Sequence, residues 1–193
     1  MFSVNDWFIY FEALDKITCD KIRNLAKDKW KLSEIGNYAV DKSQRISDTV
    51  WSEDQWIYDT IWPYMVNANE EAGWKYDITN VEVMQITRYQ KGGFYYFHRD
   101  GKGDHLSVYK SDNEYYHGCV RKLSMTILLN DDYEGGEFQF ASYKEEKCEI
   151  STPDFSKTGS IVVFPSDMEH RVTSVTKGTR YSLVVWFLGP PFK

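Results

Sequence analysis

The sequence contains few cysteines, and the three that it has are scattered. Cys19, Cys119 and Cys148 are odd in number and form no C-x-x-C pair, so a disulfide framework is not expected. The opening residues MFSVNDWFIYFEAL lack a basic segment and a small-residue cleavage site, and no apolar run is long enough to span a bilayer. These absences predict a cytoplasmic, intracellular protein in a reducing compartment, with no signal peptide and no membrane contact.

Positive charge is also in short supply. The 23 Lys and Arg residues are outnumbered by 29 Asp and Glu residues, which gives a formal net charge of -6. This balance argues against a nucleic-acid partner, because binding to phosphate backbones needs a positive surface. Aromatic residues are plentiful, at 17% of 193 residues, and the hydrophobic fraction of 42% is enough for a folded core.

Hydrophobic periodicity predicts a mainly β fold with N-terminal helices. We predict a single domain over residues 1–193, in which residues 1–80 form a helical support layer and residues 81–188 form a jelly roll. Eight runs of β-branched and aromatic residues, separated by turn residues, are predicted as the strands of the jelly roll. They span residues 81–89, 94–98, 121–129, 137–140, 148–151, 160–164, 169–175 and 180–188.

The support layer is predicted to contain one short strand and two helices. An aromatic run at residues 7–11 suits a buried strand, and residues 15–30 carry apolar side chains at helical spacing. The second helix is predicted over residues 52–72, with Ser52 as its N-cap and a kink or break at Pro63.

Two imidazoles and one carboxylate are spaced as candidate metal ligands. His98 and Asp100 lie at positions i and i+2, which point to the same side of an extended chain. With His170 on a later strand they make the two-histidine, one-carboxylate set of non-haem iron(II) oxygenases, which leaves positions open for a 2-oxo acid and O₂. Each residue alone has a simpler interpretation: a surface histidine beside a solvated aspartate, or a satisfied core histidine.

Arg180 strengthens the hypothesis of an oxygenase site. It follows His170 by ten residues, across a predicted hairpin turn in which Gly178 takes a positive φ. We predict a three-residue loop or an equivalent bulge, which puts both side chains on one face of the hairpin, whereas a two-residue turn would put them on opposite faces. An inward arginine is costly unless it is paired, so we expect either a dicarboxylic co-substrate or an internal salt bridge.

Residues 81–188 resemble the prolyl 4-hydroxylase-like branch of the 2-oxoglutarate/iron(II) dioxygenases. The order and spacing of five segments carry the resemblance, whereas no single segment is specific. The segments are MQITRYQKGGFYYFHRD (84–100), RKLSMTILLN (121–130), YEGGEF (133–138), GSIVVFP (159–165) and EHRVTSVTKGTRYSLVVW (169–186).

The resemblance implies a double-stranded β-helix fold and a set of site residues. These are His98, Asp100 and His170 for iron(II), Arg180, Tyr89 and Ser182 for 2-oxoglutarate, and Arg121 and Trp186 for the substrate. It also implies hydroxylation of a prolyl residue in a peptide or protein by O₂, with release of succinate and CO₂ and with ascorbate as an auxiliary reductant.

Two co-substrate positions depart from that branch. Leu128 stands where the oxygen-sensing prolyl hydroxylases of animals have a tyrosine, and Val184 where they have a threonine. The distal carboxylate of 2-oxoglutarate would then rest on Arg180, Ser182 and Tyr89.

The surroundings of the site are expected to exclude oxidisable groups and to include a long loop. Ile127, Leu129, Val162 and Phe164 are predicted as apolar walls of the barrel interior. The polar loop Gly101–Gly118 follows the first two ligands and suits a lid or a surface excursion equally well.

Two alternatives remain open from the sequence. One is a related oxygenase that acts on a lysyl residue, a free amino acid or an alkylated base. The other is a non-catalytic jelly-roll binding module, whose exposed tyrosines would form a binding platform. The candidate platform residues are Tyr95, Tyr96, Tyr115 and Tyr116.

Overall fold

The computed structural model describes residues 6–34, 40–101, 108–144 and 147–192, so residues 102–107 of the predicted long loop lie outside it. Its two helices are α1 (Lys16–Leu25) and α2 (Gln55–Glu71). Its strands are β1 (Phe8–Tyr10), β2 (Lys31–Leu32), β3 (Arg45–Ile46), β4 (Asp48–Ser52), β5 (Asn80–Val81), β6 (Met84–Tyr89), β7 (Phe94–His98), β8 (Val120–Leu128), β9 (Glu134–Gly135), β10 (Phe138–Lys144), β11 (Lys147–Ser151), β12 (Ile161–Pro165), β13 (Glu169–Val172), β14 (Val175–Lys177) and β15 (Arg180–Gly189).

Two antiparallel sheets form the jelly roll. The larger sheet has the order β1-β12-β8-β15-β6-β4-β2, with β5 added to β15, and the smaller has the order β11-β10-β13-β7-β3. The strands β14 and β9 pair separately. The inner faces of the two sheets meet in an aromatic cluster, where Phe140 of the smaller sheet contacts Phe164 of the larger with ring centroids 5.1 Å apart. The predicted mainly β fold is therefore confirmed.

Both helices pack on the outer face of the larger sheet. The buried stripe of α2, with Ile57, Ile61 and Met65, lies in one core cluster with Leu183 and Val185 of β15. The buried residues of the helix recur about every 3.6 positions and those of the strand every second position, so each element presents one apolar face to the other. No helix in the described ranges has the length and apolar character needed to cross a bilayer.

Neighbouring residues of a strand point to opposite faces of the larger sheet, one toward the barrel interior and the next toward the helices. Val162 and Phe164 of β12 lie in the inner cluster between the sheets, as predicted. Ile127 and Leu129 lie instead in the helix-side core, so their prediction as barrel walls is wrong. The physical reason is the strand period of two, which turns them away from Leu128 and the barrel interior.

The segment before residue 80 is less helical than predicted. Besides its helices it supplies β1 to β4, which join both sheets, so residue 80 is not a boundary between a helical layer and a barrel. Of the predicted kink or break at Pro63, the break is wrong, because α2 runs through this residue without interruption. Proline removes one backbone hydrogen bond there, and the packed apolar stripe of α2 holds the helix together. The N-cap of α2 is Asp54, whose carboxylate accepts a hydrogen bond from the predicted cap Ser52.

Candidate active site

A cavity of about 450 Å³ lies between the two sheets, here called the inter-sheet cavity. Its walls come from strands of both sheets and from the loop that precedes β8. The predicted site residues His98, Asp100, His170, Arg180, Tyr89, Ser182, Arg121 and Trp186 all line it. Residues that are far apart in the chain are thus brought to one place.

The three candidate metal ligands converge at one point of this cavity. His98 ends β7 and is the direct cross-strand partner of His170 on β13, and their ring centroids are 4.2 Å apart. The Nε2 atoms of His98 and His170 lie 3.8 and 3.7 Å from the carboxylate oxygens of Asp100. One ligand atom from each residue falls within 4.8 Å of the others, and theirs is the metal-binding grouping found among the described residues. This spacing suits three ligands around a single cation.

Hydrogen bonds fix the orientation of both imidazoles. Nδ1 of His98 donates to the carbonyl of Tyr96 at 2.8 Å, and Nδ1 of His170 donates to the carbonyl of Met168 at 2.9 Å. Because a carbonyl can only accept, each Nδ1 carries a proton, and in the neutral imidazole the lone pair is then on Nε2. Second interactions of this kind are what orient metal-binding histidines.

Asp100 is held by a buried pair of serines. The hydroxyl of Ser124 donates to its Oδ2 at 2.6 Å and lies 3.0 Å from the hydroxyl of Ser166. The backbone N–H of Asp100 donates to the carbonyl of Ser166 at 2.9 Å. The carboxylate therefore has a fixed position before any ligand arrives.

Electrostatics keep the site ready to bind a cation. Burial, together with the neighbouring His170, lowers the pKa of His98 to about 3, so this imidazole is neutral near pH 7. Burial alone would raise the pKa of Asp100, but His170, His98 and Arg121 lower it below its ordinary value. Neutral imidazoles and an ionised carboxylate are the protonation states that a metal ion requires.

Arg180 lies fully buried in the same cavity with part of its side chain unsatisfied. It is 1% exposed, and its Nη1 donates to the hydroxyl of Ser182 at 3.0 Å. Its Nε and Nη2 have no hydrogen-bond partner among the residues that the structure describes. A buried guanidinium with open donors is costly, and a carboxylate that accepts two parallel hydrogen bonds offsets that cost. The observed donors therefore fit the distal carboxylate of a dicarboxylic 2-oxo acid.

The path that brings Arg180 to the site differs from the predicted hairpin. β13 pairs with β10 and β7 in the smaller sheet, whereas β15 pairs with β6 and β8 in the larger sheet. Gly178 has the predicted positive φ of 75°, but it precedes β15 in a connection between sheets. His170 and Arg180 consequently face each other across the barrel and do not share one hairpin face.

Comparison with known proteins agrees with this geometry. Residues 84–188, more than half of the chain, match the 2OG-Fe(II) oxygenase superfamily. The chain belongs to this family. Membership confirms the resemblance seen in the sequence, and the His-Asp-His grouping of this oxygenase, with the open donors of Arg180, fits iron(II) and 2-oxoglutarate.

Two curated relatives of the oxygenase are described as PKHD-type hydroxylases. A PKHD-type hydroxylase of Xylella fastidiosa is 35% identical over 105 residues, which is 53% of this chain and 42% of the relative. A PKHD-type hydroxylase of a Synechococcus strain is 40% identical over 77 residues, covering 39% of this chain and 33% of the relative. The chain thus spans less than half the length of these relatives.

Solved structures share the whole fold of the oxygenase. A viral collagen prolyl hydroxylase from Paramecium Bursaria Chlorella virus-1, in complex with 2OG, has a TM-score of 0.65 and 20% identity, covering 96% of this chain and 97% of the other. A prolyl hydroxylase from Trichoplax adhaerens, in complex with a hypoxia inducible factor peptide fragment, has a TM-score of 0.66 and 14% identity, covering 95% and 83%. At these identities the likeness establishes the fold, which is the predicted jelly roll.

The predicted substrate residues are in contact with each other. The guanidinium of Arg121 lies 4.1 Å from the ring centroid of Trp186, and it donates from Nε and Nη2 to the Glu82 carboxylate at 2.6 Å each. Nε1 of Trp186 is buried with no partner among the described residues. Both residues line the inter-sheet cavity, so its wall contains an oriented cation beside an indole whose N–H has no described partner.

Among the residues that line the inter-sheet cavity, Tyr95, Glu82 and Arg45 were not predicted as site residues. Tyr95 stacks on His98 with ring centroids 3.5 Å apart, Glu82 fixes Arg121, and Arg45 donates to Gln85 at 3.0 Å. Arg45 lies on β3, which was not predicted, and Glu82 stands between β5 and β6 without any motif. Tyr95 was considered only as an exposed platform residue.

The two departures from the prolyl hydroxylase pattern lie in different surroundings. Val184 lines the inter-sheet cavity, whereas Leu128 is fully buried in the aromatic cluster between the sheets. Tyr89 supports Arg180, whose guanidinium lies 5.6 Å from its ring centroid.

Proposed function

We propose that this chain is an Fe(II)- and 2-oxoglutarate-dependent dioxygenase that hydroxylates a prolyl residue in a peptide or protein. The observation that carries the proposal is one cavity that holds both a His-Asp-His grouping and a buried arginine with open donors. A non-catalytic binding module requires neither feature, and its proposed platform residue Tyr95 lies inside the cavity against His98.

In this proposal each residue has a defined task. His98, Asp100 and His170 hold the iron, and Arg180 binds the distal carboxylate of 2-oxoglutarate with support from Ser182 and Tyr89. When bound, the two groups supply the oxidising chemistry, in which O₂ converts 2-oxoglutarate to succinate and CO₂ and one oxygen atom enters the substrate. Ascorbate would serve to keep the iron reduced. The three free cysteines, Cys19, Cys119 and Cys148, support a reducing cellular compartment.

The prolyl substrate is proposed from the relatives and from the cavity wall. Structures of similar fold are a collagen prolyl hydroxylase and a prolyl hydroxylase bound to a peptide fragment. Arg121 and the open Nε1 of Trp186 offer donors that suit the carbonyl oxygens of a peptide. A bidentate bond to Glu82 fixes Arg121 before the substrate binds.

A turnover assay tests both parts of the proposal. The chain is incubated with Fe(II), 2-oxoglutarate, ascorbate and a proline-containing peptide library, and we measure succinate and a mass gain of one oxygen atom. We expect both products, and we expect His170→Ala to abolish them because a metal ligand is lost. The control is His117→Ala, which alters an exposed loop histidine. Absence of succinate with every substrate would refute the oxygenase, whereas activity only on lysyl peptides or free amino acids would refute the prolyl substrate.

A further inference from the structure

A second cavity of about 420 Å³ lies beside the first half of α2, outside the barrel. Four aromatic side chains and two carboxylates dominate its lining, and no lysine or arginine of the described residues takes part. The lining residues are Glu53, Gln55, Tyr58, Asp59, Trp62, Val81, Val83, Tyr115 and Tyr116. We call it the aromatic cavity.

The aromatic cavity shares a wall with the inter-sheet cavity. Val81 and Val83 face the aromatic cavity, while Glu82 between them lines the inter-sheet cavity, as alternation in an extended chain requires. The hydroxyl of Tyr58 donates to the carbonyl of Glu82 at 3.0 Å. An occupant of the aromatic cavity would therefore be separated from the Arg121–Glu82 pair only by the extended segment of residues 81–83.

The loop before β8 also contributes to both cavities. Tyr109 lines the inter-sheet cavity and donates to the Glu82 carboxylate at 2.8 Å, whereas Tyr115 and Tyr116 line the aromatic cavity. The side-chain amide of Asn80 donates to the carbonyl of Tyr115 and ties this part of the loop to β5. The rings of Tyr115 and Tyr116 meet edge to face, with centroids 5.2 Å apart.

The charge of the aromatic cavity is negative and uncompensated. Neither Glu53 nor Asp59 forms an ion pair with a described cationic residue, and Asp59 accepts a hydrogen bond only from the neutral amide of Gln55 at 2.9 Å. Burial, followed by nearby Tyr116 and Glu53, raises the pKa of Tyr58 to about 12, which is consistent with a site that disfavours further negative charge.

The helix N-terminus does not account for Asp59, and metal binding accounts for neither carboxylate of this lining. Asp59 is the fifth residue of α2, beyond the first turn in which the helix dipole stabilises an acid. The described residues with metal-ligand spacing are those of the inter-sheet cavity, not Glu53 and Asp59. Aromatic faces combined with carboxylates are the chemistry that binds an organic cation.

We propose that the aromatic cavity binds a lysine or arginine side chain of the polypeptide whose prolyl residue enters the inter-sheet cavity. The polypeptide nature of the occupant rests on the proposed function. Its positive charge rests on the two unpaired carboxylates, the four aromatic rings and the chain's net charge of -6. A basic side chain at a fixed distance from the target proline would thus be a specificity determinant of this oxygenase.

The test uses proline-containing peptides in which one arginine is moved along the sequence, each with a twin that carries neutral citrulline at that position. Binding to the full chain is measured by fluorescence anisotropy without Fe(II) or 2-oxoglutarate, so the result does not depend on turnover. At a favoured spacing we expect the arginine peptide to bind about tenfold more tightly than its twin, a difference typical of a cation against aromatic faces.

Two sets of variants test whether the tighter binding of the arginine peptide depends on the aromatic cavity. The pair Glu53→Gln/Asp59→Asn should abolish it, and the exposed Tyr115→Ala should reduce it about threefold. The control pair Glu70→Gln/Glu71→Gln makes the same charge change at the other end of α2 and should preserve it. All positions are at the surface, and thermal melting verifies that the variants fold.

The outcomes separate this inference from the proposed function. Equal binding of both twins at every spacing, or a preference that survives Glu53→Gln/Asp59→Asn, would overturn the inference even if prolyl peptides are hydroxylated. A preference that depends on the aromatic cavity, in a chain that releases no succinate with these peptides, would support the cation site and overturn the prolyl substrate.

Discussion

At the residue scale, Arg180 has more buried donors without a hydrogen-bond partner than any other side chain that the structure describes. Replacing it by glutamine removes the charge while keeping a polar side chain of moderate length. We expect Arg180→Gln to weaken 2-oxoglutarate binding on the order of 100-fold, because one partner of a buried charge pair is lost. Isothermal titration with Mn(II) in place of iron, under anaerobic conditions, measures the dissociation constant.

The matched control is Arg88→Gln on the same sheet. Arg88 pairs with Asp48 outside the inter-sheet cavity, so its loss should leave 2-oxoglutarate affinity unchanged. Metal affinity should stay the same in both variants. Unaltered 2-oxoglutarate affinity in Arg180→Gln would show that the guanidinium is structural.

Ser124 is expected to act on the metal through Asp100. Its hydroxyl donates to the carboxylate at 2.6 Å, so Ser124→Ala should lower metal affinity by roughly 10- to 100-fold, as the loss of an outer hydrogen bond typically does. The control Ser160→Ala removes another buried hydroxyl, which accepts from the backbone of Glu12. Competition with a chelating dye measures both affinities, and an equal small loss in the two variants would contradict the positioning role.

At the element scale, the start of α1 is fastened to the larger sheet at Gly159. The backbone N–H of Leu14 donates to the carbonyl of Gly159 at 3.1 Å, and a Cβ on Gly159 would meet the carbonyl oxygen of Leu14 at 1.8 Å. We therefore expect Gly159→Ala to destabilise the fold by more than about 3 kcal/mol, since both collision and strain at φ +80° oppose it. Urea unfolding followed by tryptophan fluorescence gives the value.

A variant at Gly92 distinguishes the steric collision of an added Cβ from the backbone strain of a positive φ. It has a similar φ of +84°, but a Cβ there would have nothing within 4 Å. Gly92→Ala should cost only about 1 kcal/mol from backbone strain. Equal losses in the two variants would show that the close approach of α1 to Gly159 contributes little.

At the scale of the whole molecule, stability should fall in mild alkali because of Cys19. Burial raises the pKa of this thiol from 9.0 to about 11, so between these values the unfolded chain loses a proton that the folded chain keeps. The free energy of unfolding should then decrease with rising pH by at most about 1.4 kcal/mol per pH unit.

Variants at two cysteines test this linkage. Cys19→Ala should flatten the decrease between pH 9 and 10, even though the lost packing lowers stability by a constant amount. Cys148→Ala is the control, because it removes a thiol that is already exposed in the folded chain. Denaturant titrations at several pH values measure the slopes, and a slope in Cys19→Ala equal to that of the parent chain would assign the alkaline loss to other groups.

The sequence by itself determined the elements that have strong local patterns. The predicted strand at 94–98 coincides with β7, and the strands predicted at 160–164 and 180–188 lie within one residue of β12 and β15. Their β-branched and aromatic runs decide the backbone conformation locally. The two-residue strands β2, β3 and β9 escaped prediction, because they form only by pairing with longer neighbours.

The sequence also named the chemistry of the site, because two imidazoles, a carboxylate and an arginine in this order are informative residue types. It could not name the path by which they meet. The predicted hairpin between His170 and Arg180 is replaced by two strands in opposing sheets, a choice that depends on long-range pairing.

Only the tertiary structure decided which side chains surround the site. The register between β7 and β13 shifts. His98 pairs with His170 and Tyr95 pairs with Val172, although the first strand spans three residues between these pairs and the second spans two. This bulge brings Tyr95 against His98, which the period of two in a regular strand would forbid. The pairing of Glu82 with Arg121 and the open donors of Arg180 likewise follow from contacts between distant segments. Local preference sets what each segment becomes, whereas the position of its side chains depends on the register of all its neighbours.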